Sequence, residues 1–235
     1  MAHINILGTF IFIMIGYLIG SISPSILISK KKFNTDVRQH YSHNAGATNS
    51  TRVMGKKWGL IILLLDGFKP IITILIAWGL TFIPINNSDW QYLFSDAYVY
   101  FAGLAAIIGH CWPIFFGFRG GKGAASSLGL LLIINPIYFA IAVISWWLIL
   151  YISKMVSLSS ILMVGVAFAF SWIPNMPLNA YVWKHDLQYF IINWIILGSW
   201  LIIISRHWSN LLRIFQGSER KVTMFDRTNK KKKTK

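Results

Sequence analysis

The chain has a single cysteine, Cys111, in 235 residues, and only seven acidic side chains. One thiol excludes an internal disulfide framework and leaves no thiolate cluster for zinc or iron–sulfur. The few carboxylates form no catalytic pair and no metal-ligand set, so hydrolysis by metal-bound water does not fit. His40 and His43 are the one close histidine pair, and they read as part of a solvated loop. Internal repeats are missing. So are the segments of about ten residues with alternating polarity that a membrane β-barrel requires. The first apolar stretch has no basic segment before it and no small-residue cleavage site after it, so it is expected to be an anchor and not a removable signal.

What is present is hydrocarbon: 55% of residues are apolar and 12% charged, with a mean hydropathy of +0.57. Apolar stretches run over 4–29, 58–83, 98–118, 124–152, 156–174 and 188–205. Several reach the roughly 20 residues that a spanning helix needs. The expected fold class is therefore all-α, a polytopic integral membrane protein.

The formal charge of +15 does not imply a nucleic-acid partner, because of where the cations lie. Lys30, Lys31, Lys32, Arg38, Arg52, Lys56 and Lys57 fall in one connection, and Arg206 begins a strongly basic C-terminal segment. The 84–97 connection has no cation and 174–187 has only Lys184. The positive-inside rule places 30–57 and the C-terminus in the cytoplasm and the N-terminus outside, which requires an odd number of spans. Asn135-Pro136 divides the 124–152 stretch, because proline favours a break there. About seven transmembrane helices result. Residues 1–218 are expected to form one transmembrane domain, with 219–235 a basic, disordered cytoplasmic tail.

This topology gathers three polar clusters on the cytoplasmic face. The first is Ser42-His43-Asn44-Ala45-Gly46-Ala47-Thr48-Asn49 with Arg52 behind it. Asn49 or Thr48 could cap a helix there. The second is the loop Gly117-Phe118-Arg119-Gly120-Gly121-Lys122-Gly123, where glycines would let backbone N–H groups approach a phosphate beside two cations. A helix restarting near Gly123 would add the partial positive charge of its N-terminus. The loop is not a nucleotide P-loop: Phe116 and Gly123 stand where that pattern needs a glycine and a hydroxyl residue, and no strand precedes it. The third cluster is Arg206-His207-Trp208-Ser209-Asn210, with His207 and Asn210 spaced to share a helix face.

Asp66 and Lys69, three residues apart in the second span, can neutralise each other. Ser157, Ser159 and Ser160 could line a site at the same face or simply begin a helix. A pocket with Arg52, Arg119, Lys122 and His207 but few carboxylates suits an anionic, already activated substrate, hence acyl transfer. An anion or phosphate transporter would also gather cations and glycines near helix breaks, but it predicts inverted repeats and a midplane site. A non-enzymatic membrane assembly factor would not need so many site-like motifs.

The three clusters resemble the motifs of the PlsY-type glycerol-3-phosphate acyltransferases, membrane enzymes of bacteria. The family's Ser-Gly-Asn-x-Gly-Ala-Thr-Asn with a following Arg matches Ser42 to Asn49 and Arg52. Gly-His-x-x-Pro and Phe-Lys-Gly-Gly-Lys-Gly match Gly109-His110-Cys111-Trp112-Pro113 and Phe118 to Gly123. Arg-His-x-x-Asn and Gly-x-Glu match Arg206 to Asn210 and Gly217-Ser218-Glu219. Leu65-Asp66 and Val156-Ser157-Leu158 also look like family signatures, and the resemblance runs from about Gly20 to Glu219.

The resemblance implies transfer of an acyl group from acyl-phosphate to the 1-hydroxyl of sn-glycerol 3-phosphate, giving lysophosphatidate and phosphate, the first step of phospholipid synthesis. It implies no acyl-CoA, no metal and no cofactor. The expected setting is the bacterial cytoplasmic membrane, with the bilayer as the other partner, a cytoplasmic-face site and a monomeric protein. Ser42, Arg52, Lys122, His207 and Asn210 carry over as the catalytic pocket. Asn44, Gly46, Thr48, Asn49, Arg119, Gly120, Gly121, Gly123, Ser157 and Ser160 are expected to contact substrate, and Asp66 and Glu219 to be structural. Arg119 replaces the family's lysine with the charge kept. His43 replaces a glycine, and its Cβ restricts the loop if that position needs positive φ.

Overall fold

The computed structural model describes residues 6–83, 94–173 and 186–222. Much of the 84–97 and 174–187 connections and residues 223–235 of the expected tail lie outside the described residues. The described chain is helical throughout. In chain order it has α1 (Ile6–Ser21), α2 (Pro24–Phe33), α3 (Ala47–Met54), α4 (Lys56–Thr81) and α5 (Tyr100–Cys111). There follow α6 (Ala124–Ile134), α7 (Pro136–Ser153), α8 (Val156–Ser171), α9 (Asp186–Arg206) and α10 (Trp208–Phe215). Short 3-10 turns occupy Val37–Gln39, Asp96–Tyr98 and Ile114–Phe116.

Among the described residues, four segments are long and apolar enough to cross a bilayer: Ile6–Phe33, Lys56–Thr81, Pro136–Ser153 and Gln188–Arg206. Tyr100–Phe116, Ala124–Ile134 and Val156–Ser171 are apolar but shorter. The break expected at Asn135-Pro136 is present. Asn135 caps α7 by accepting the Ile137 amide at 2.8 Å, and Pro136 takes the first helical position, where no N–H is needed. The helix after the glycine loop starts at Ala124, with Gly123 as its N-cap at φ +86°. Near the first cluster α3 starts at Ala47 with Gly46 as N-cap, so neither Thr48 nor Asn49 caps it.

Lipid offers no hydrophobic reward for helix association, so close packing of small residues does that work. Gly16 and Gly20 of α1 lie against the backbone of Ala102 and Ala106 of α5; a Cβ on Gly20 would fall 2.2 Å from the Ala106 carbonyl oxygen. Gly109 sits equally tightly on the Tyr17 carbonyl, at 2.3 Å. Gly129 of α6 presses on the Gly67 carbonyl of α4, and Gly165 of α8 receives the Trp200 indole of α9. The Trp200 Nε1–H donates to Ile161 O at 3.0 Å. Between these seams lies one core that includes Phe12, Ile107, Leu130, Tyr138 and Ile196. Side chains such as Ile144, Leu148 and Ile152 project outward, as a surface solvated by lipid allows.

The seam between α1 and α5 generates a prediction. Gly20→Ala should destabilise by about 1–3 kcal/mol, because its methyl meets backbone that cannot move aside. Gly79→Ala, where a Cβ meets nothing within 4 Å, should not. Thermal unfolding of the two variants in detergent checks the difference.

Candidate active site

At one end of the bundle an open cavity of about 1570 Å³ is walled by all three sequence clusters. Ser42, Arg52, Lys122, His207 and Asn210 all line it. So do Asn44, Gly46, Thr48, Asn49, Gly123, Ser157, Ser160, Asp66 and Glu219. Arg119, Gly120 and Gly121 are not among the lining residues.

The first wall is the segment from Asn34 to α3. Asn49 is buried and its amide gathers the segment, donating to Val37 O, His40 O and Asn44 O at 2.8, 3.1 and 3.0 Å. Its Oδ1 accepts the Ser42 amide at 3.3 Å. The Asn49 side chain is thus taken up in holding the loop that presents Ser42. His43 does occupy a left-handed conformation, φ +53°, and its Nδ1–H donates to Arg38 O at 3.1 Å. A glycine would adopt this conformation without strain; the histidine adopts it too and adds a local tether. Arg52 has no carboxylate partner among the described residues; burial first, and then the neighbouring Arg220 cation, push its pKa down.

The second wall is the glycine loop, and here the structure corrects the expected role of the glycine amides. Gly120 N–H donates to Cys111 O at 3.2 Å and Gly121 N–H to His110 O at 3.0 Å, so both are spent on the C-terminal carbonyls of α5. A Cβ on Gly120 would stand 2.1 Å from His110 O, and one on Gly121 would stand 2.0 Å from His110 Nε2. The absence of a Cβ at these two positions is what lets the loop lie flat on the end of α5. What the loop delivers to the cavity is Lys122 and the start of α6, where Gly123, Ala124 and Ala125 line the wall. The first amides of a helix lack intrahelical acceptors and favour an anion.

Lys122 is partly buried and its Nζ donates to Asn210 Oδ1 in a short contact. Burial, with the nearby Arg213 cation, lowers its pKa to about 8. Asn210 Nδ2 in turn donates to Glu219 Oε1 at 2.7 Å. Ser157 Oγ donates to the same oxygen at 2.6 Å, and Arg213 Nε to Glu219 Oε2 at 2.8 Å. Burial acts to raise the Glu219 pKa, but these three donors outweigh it and the net shift is downward. Glu219 therefore joins α8, through Ser157, to α10, through Asn210 and Arg213, and Asn210 carries the link on to Lys122 just ahead of α6.

His207 Nδ1–H donates to Ile203 O at 2.9 Å, which leaves Nε2 as the lone-pair nitrogen of the neutral ring. Burial first, and then the Lys122 charge, depress its pKa to about 4. It is neutral through the physiological range. Arg206 Nε–H donates to Gly121 O at 3.1 Å, tying the third wall to the second.

Some residues of the cavity escaped sequence reasoning. Beyond α10, Gly217 at φ +68° reverses the chain, and Val222 N–H reaches Lys154 O at 2.8 Å. Arg220 and Lys221, expected in the tail, consequently line the cavity. Their adjacency to Glu219 was the available signal. His110 also lines it and joins the expected pair: Asp66 Oδ1 is 2.8 Å from Lys69 Nζ and 3.3 Å from His110 Nδ1. Its place in the Gly109–Pro113 motif was the clue. Away from this polar end the same cavity is walled by Leu63, Leu128, Leu132, Phe139, Val143 and Trp147.

A sequence profile of the family described as glycerol-3-phosphate acyltransferase matches residues 10–217. The chain belongs to that family. A glycerol-3-phosphate acyltransferase of Ureaplasma urealyticum is 40% identical over 225 residues, 89% of this chain and 88% of the relative. One of Mesoplasma florum is 39% identical over 189 residues, 80% of this chain and 72% of the relative. Among solved structures, PlsY, an integral membrane glycerol 3-phosphate acyltransferase in its glycerol 3-phosphate form, superposes with a TM-score of 0.73. It is 32% identical, with 91% of this chain and 95% of that one covered. The lysophosphatidic acid form gives 0.70 at 30% identity, covering 91% and 94%. The chain is thus an integral membrane member of this acyltransferase family.

The electrostatics predict a pH dependence. A depressed lysine pKa means that the charge of Lys122 is present below about pH 8 and lost as pH rises through that value. Affinity of the free protein for an anionic substrate should fall above about pH 8, measured as kcat/KM. Lys122→Ala should reduce kcat/KM by at least about a hundredfold while circular dichroism stays unchanged.

Proposed function

We propose that the protein moves a fatty acyl group from acyl-phosphate to the 1-hydroxyl of sn-glycerol 3-phosphate, giving 1-acylglycerol 3-phosphate and phosphate. The observation that carries this reading is one cavity with two characters. Arg52, Lys122, Arg220 and the α6 N-terminus stand at its polar end, and an apolar wall from Leu63 to Trp147 continues from them. A soluble phosphate ester and the head of an acyl-phosphate fit the first, and an acyl chain fits the second.

Arg52 and Lys122 neutralise substrate phosphates, and Ser42 and Asn210 supply hydrogen bonds to glycerol or phosphate oxygens. The hydroxyl oxygen attacks the acyl carbonyl carbon, the acyl–phosphate C–O bond breaks, and phosphate leaves with the bonding electrons. The cations stabilise the charge that develops on the carbonyl oxygen and the leaving phosphate. The hydroxyl proton passes to a substrate phosphate oxygen. His207, at about 4, is too weak a base near neutrality, whereas a phosphate monoester has a second pKa of about 6. His207 serves as a neutral polar contact.

The spans number seven, the four long helices plus the three shorter apolar ones, with the N-terminus outside and the cavity at the cytoplasmic face. This orientation follows from the basic 30–57 connection, which forms the cavity's first wall. Cysteines introduced at Lys31 and Ser88 test it: in intact cells only the second should react with an impermeant maleimide.

Purified protein given acyl-phosphate and glycerol 3-phosphate should release lysophosphatidate and phosphate in equal amounts, and acyl-CoA should not replace the donor. Folded protein that forms neither product would refute the reading. His207→Gln should lower kcat/KM yet leave the acid limb of the pH profile in place. An acid limb that disappears would instead make the histidine the base.

A further inference from the structure

Arg38 had no place in the expected site and does not line the cavity, yet it makes the strongest connection between the first wall and the glycine loop. Its Nη1 donates to Phe116 O at 2.7 Å and to Arg119 O at 3.1 Å. Its Nε and Nη2 grip the two oxygens of Asp36 at 3.0 and 2.8 Å. Asp36 is itself fixed, since Oδ1 accepts the Arg38 backbone amide at 2.9 Å and Lys30 Nζ stands 3.5 Å from Oδ2. The side-chain bond from Arg38 is the main reason that the Asp36 pKa is held down at about 2. The carboxylate is therefore ionised wherever the protein works.

The two carbonyls that Arg38 holds bracket the sharpest part of the loop, where Gly117 and Phe118 both have positive φ, +65° and +57°. The next two carbonyls are held as well: Gly120 O accepts the Ala45 amide at 3.4 Å, and Gly121 O accepts Arg206 Nε–H at 3.1 Å. Lys122 follows directly. From Gly117 on the loop has no helix or sheet of its own, so its path is set by what its backbone groups bind: the Gly120 and Gly121 amides hold it to the end of α5, and its carbonyls hold it to other segments. Ala45 makes a long bond and Arg206 holds only the far end. Arg38 holds two of these carbonyls with one side chain, because a guanidinium is a rigid fork with five donors.

We propose that Arg38, locked by Asp36, is a positioning residue that seats the loop and thereby sets where Lys122 stands in the cavity. The proposal rests on the reading of that cavity as a phosphate site but not on the identity of the acyl donor. The neighbours that set the Lys122 environment, Arg206, His207, Asn210, Arg213 and Glu219, come from α9, α10 and the segment that follows, and Arg38 touches none of them. A change in Lys122 on altering Arg38 must then travel through the loop.

The test uses the full chain in detergent, carrying Arg38→Lys or Arg38→Ala, with glycerol 3-phosphate affinity measured by calorimetry across the alkaline range and thermal unfolding in parallel. Lysine keeps the charge but cannot serve two carbonyls and a carboxylate together, so Arg38→Lys should unfold near the wild-type temperature. It should bind glycerol 3-phosphate about tenfold to a hundredfold more weakly. Its loss of affinity with rising pH should move from about 8 toward the solvated lysine value of about 10.4, as a misplaced Lys122 regains water. Guanidinium ion should restore part of the affinity of Arg38→Ala. Wild-type affinity with an unmoved alkaline limb in folded Arg38→Lys overturns the proposal. Weaker binding with the limb unmoved and no recovery by guanidinium overturns it too, since that is what a merely stabilising contact gives. If Arg38→Ala does not fold, the lysine variant decides. Wild-type protein that binds no glycerol 3-phosphate overturns the phosphate reading, and this proposal with it.

Discussion

In a chain solvated mostly by lipid, every stretch of backbone that leaves a helix must find its hydrogen-bond partners inside the protein. The loop between α5 and α6 is where that constraint bears hardest. It solves the problem by lying on the end of α5, with Gly120 and Gly121 donating to Cys111 and His110 and its carbonyls accepting from Arg38, Ala45 and Arg206. The glycines make this possible by leaving room for the His110 ring and carbonyl. The same seating that satisfies the backbone delivers Lys122 and the open start of α6 to one cavity. The site depends on that loop, and the loop depends on three other segments.

Charge follows the same economy of partners. The described acidic groups near the cavity are engaged by cations: Glu219 with Arg213, Asp66 with Lys69, and Asp36 with Arg38 and Lys30. Arg52 keeps no such partner among the described residues, and Lys122 has only the neutral Asn210 carbonyl. Arg52 faces the Arg220 cation, and the partly buried Lys122 faces Arg213 and Arg206, so like charges are crowded along the cavity at a cost. A bound anion relieves the cost, which makes the arrangement favour a charged ligand over a neutral one. The depressed pKa values of Lys122 and His207 come first from burial and then from neighbouring cations, Arg213 beside the lysine and Lys122 beside the histidine.

Much of this was readable in the chain. Apolar runs, Asn135-Pro136 and the uneven spread of cations pointed to a helical membrane protein and located the break before α7, because bilayer thickness and proline geometry act locally. The three polar clusters were visible as interruptions of hydrocarbon, and their meeting at one end is what the structure displays. The harder inferences concerned what each polar group spends itself on. Asn49 looked like a substrate contact, but its amide is surrounded by three carbonyls from its own loop. Gly120 and Gly121 looked like phosphate donors, but their amides belong to α5.

The sequence by itself determined the environment, the helical class and which residues are chemically able to hold an anion, since these follow from composition and short-range spacing. Only the tertiary structure decided which of those groups are free. Arg38 precedes one motif and Arg119 lies within another; the first is bound to Asp36 and two carbonyls, while among the described residues the second gives up only its carbonyl. Arg220 reads as one more cation of a basic tail, yet the turn at Gly217 and the bond from Val222 to Lys154 bring it to the cavity. Whether a polar group is available depends on partners that lie far away in the chain, and hydrogen bonds between distant segments leave no periodic trace in the residues that make them.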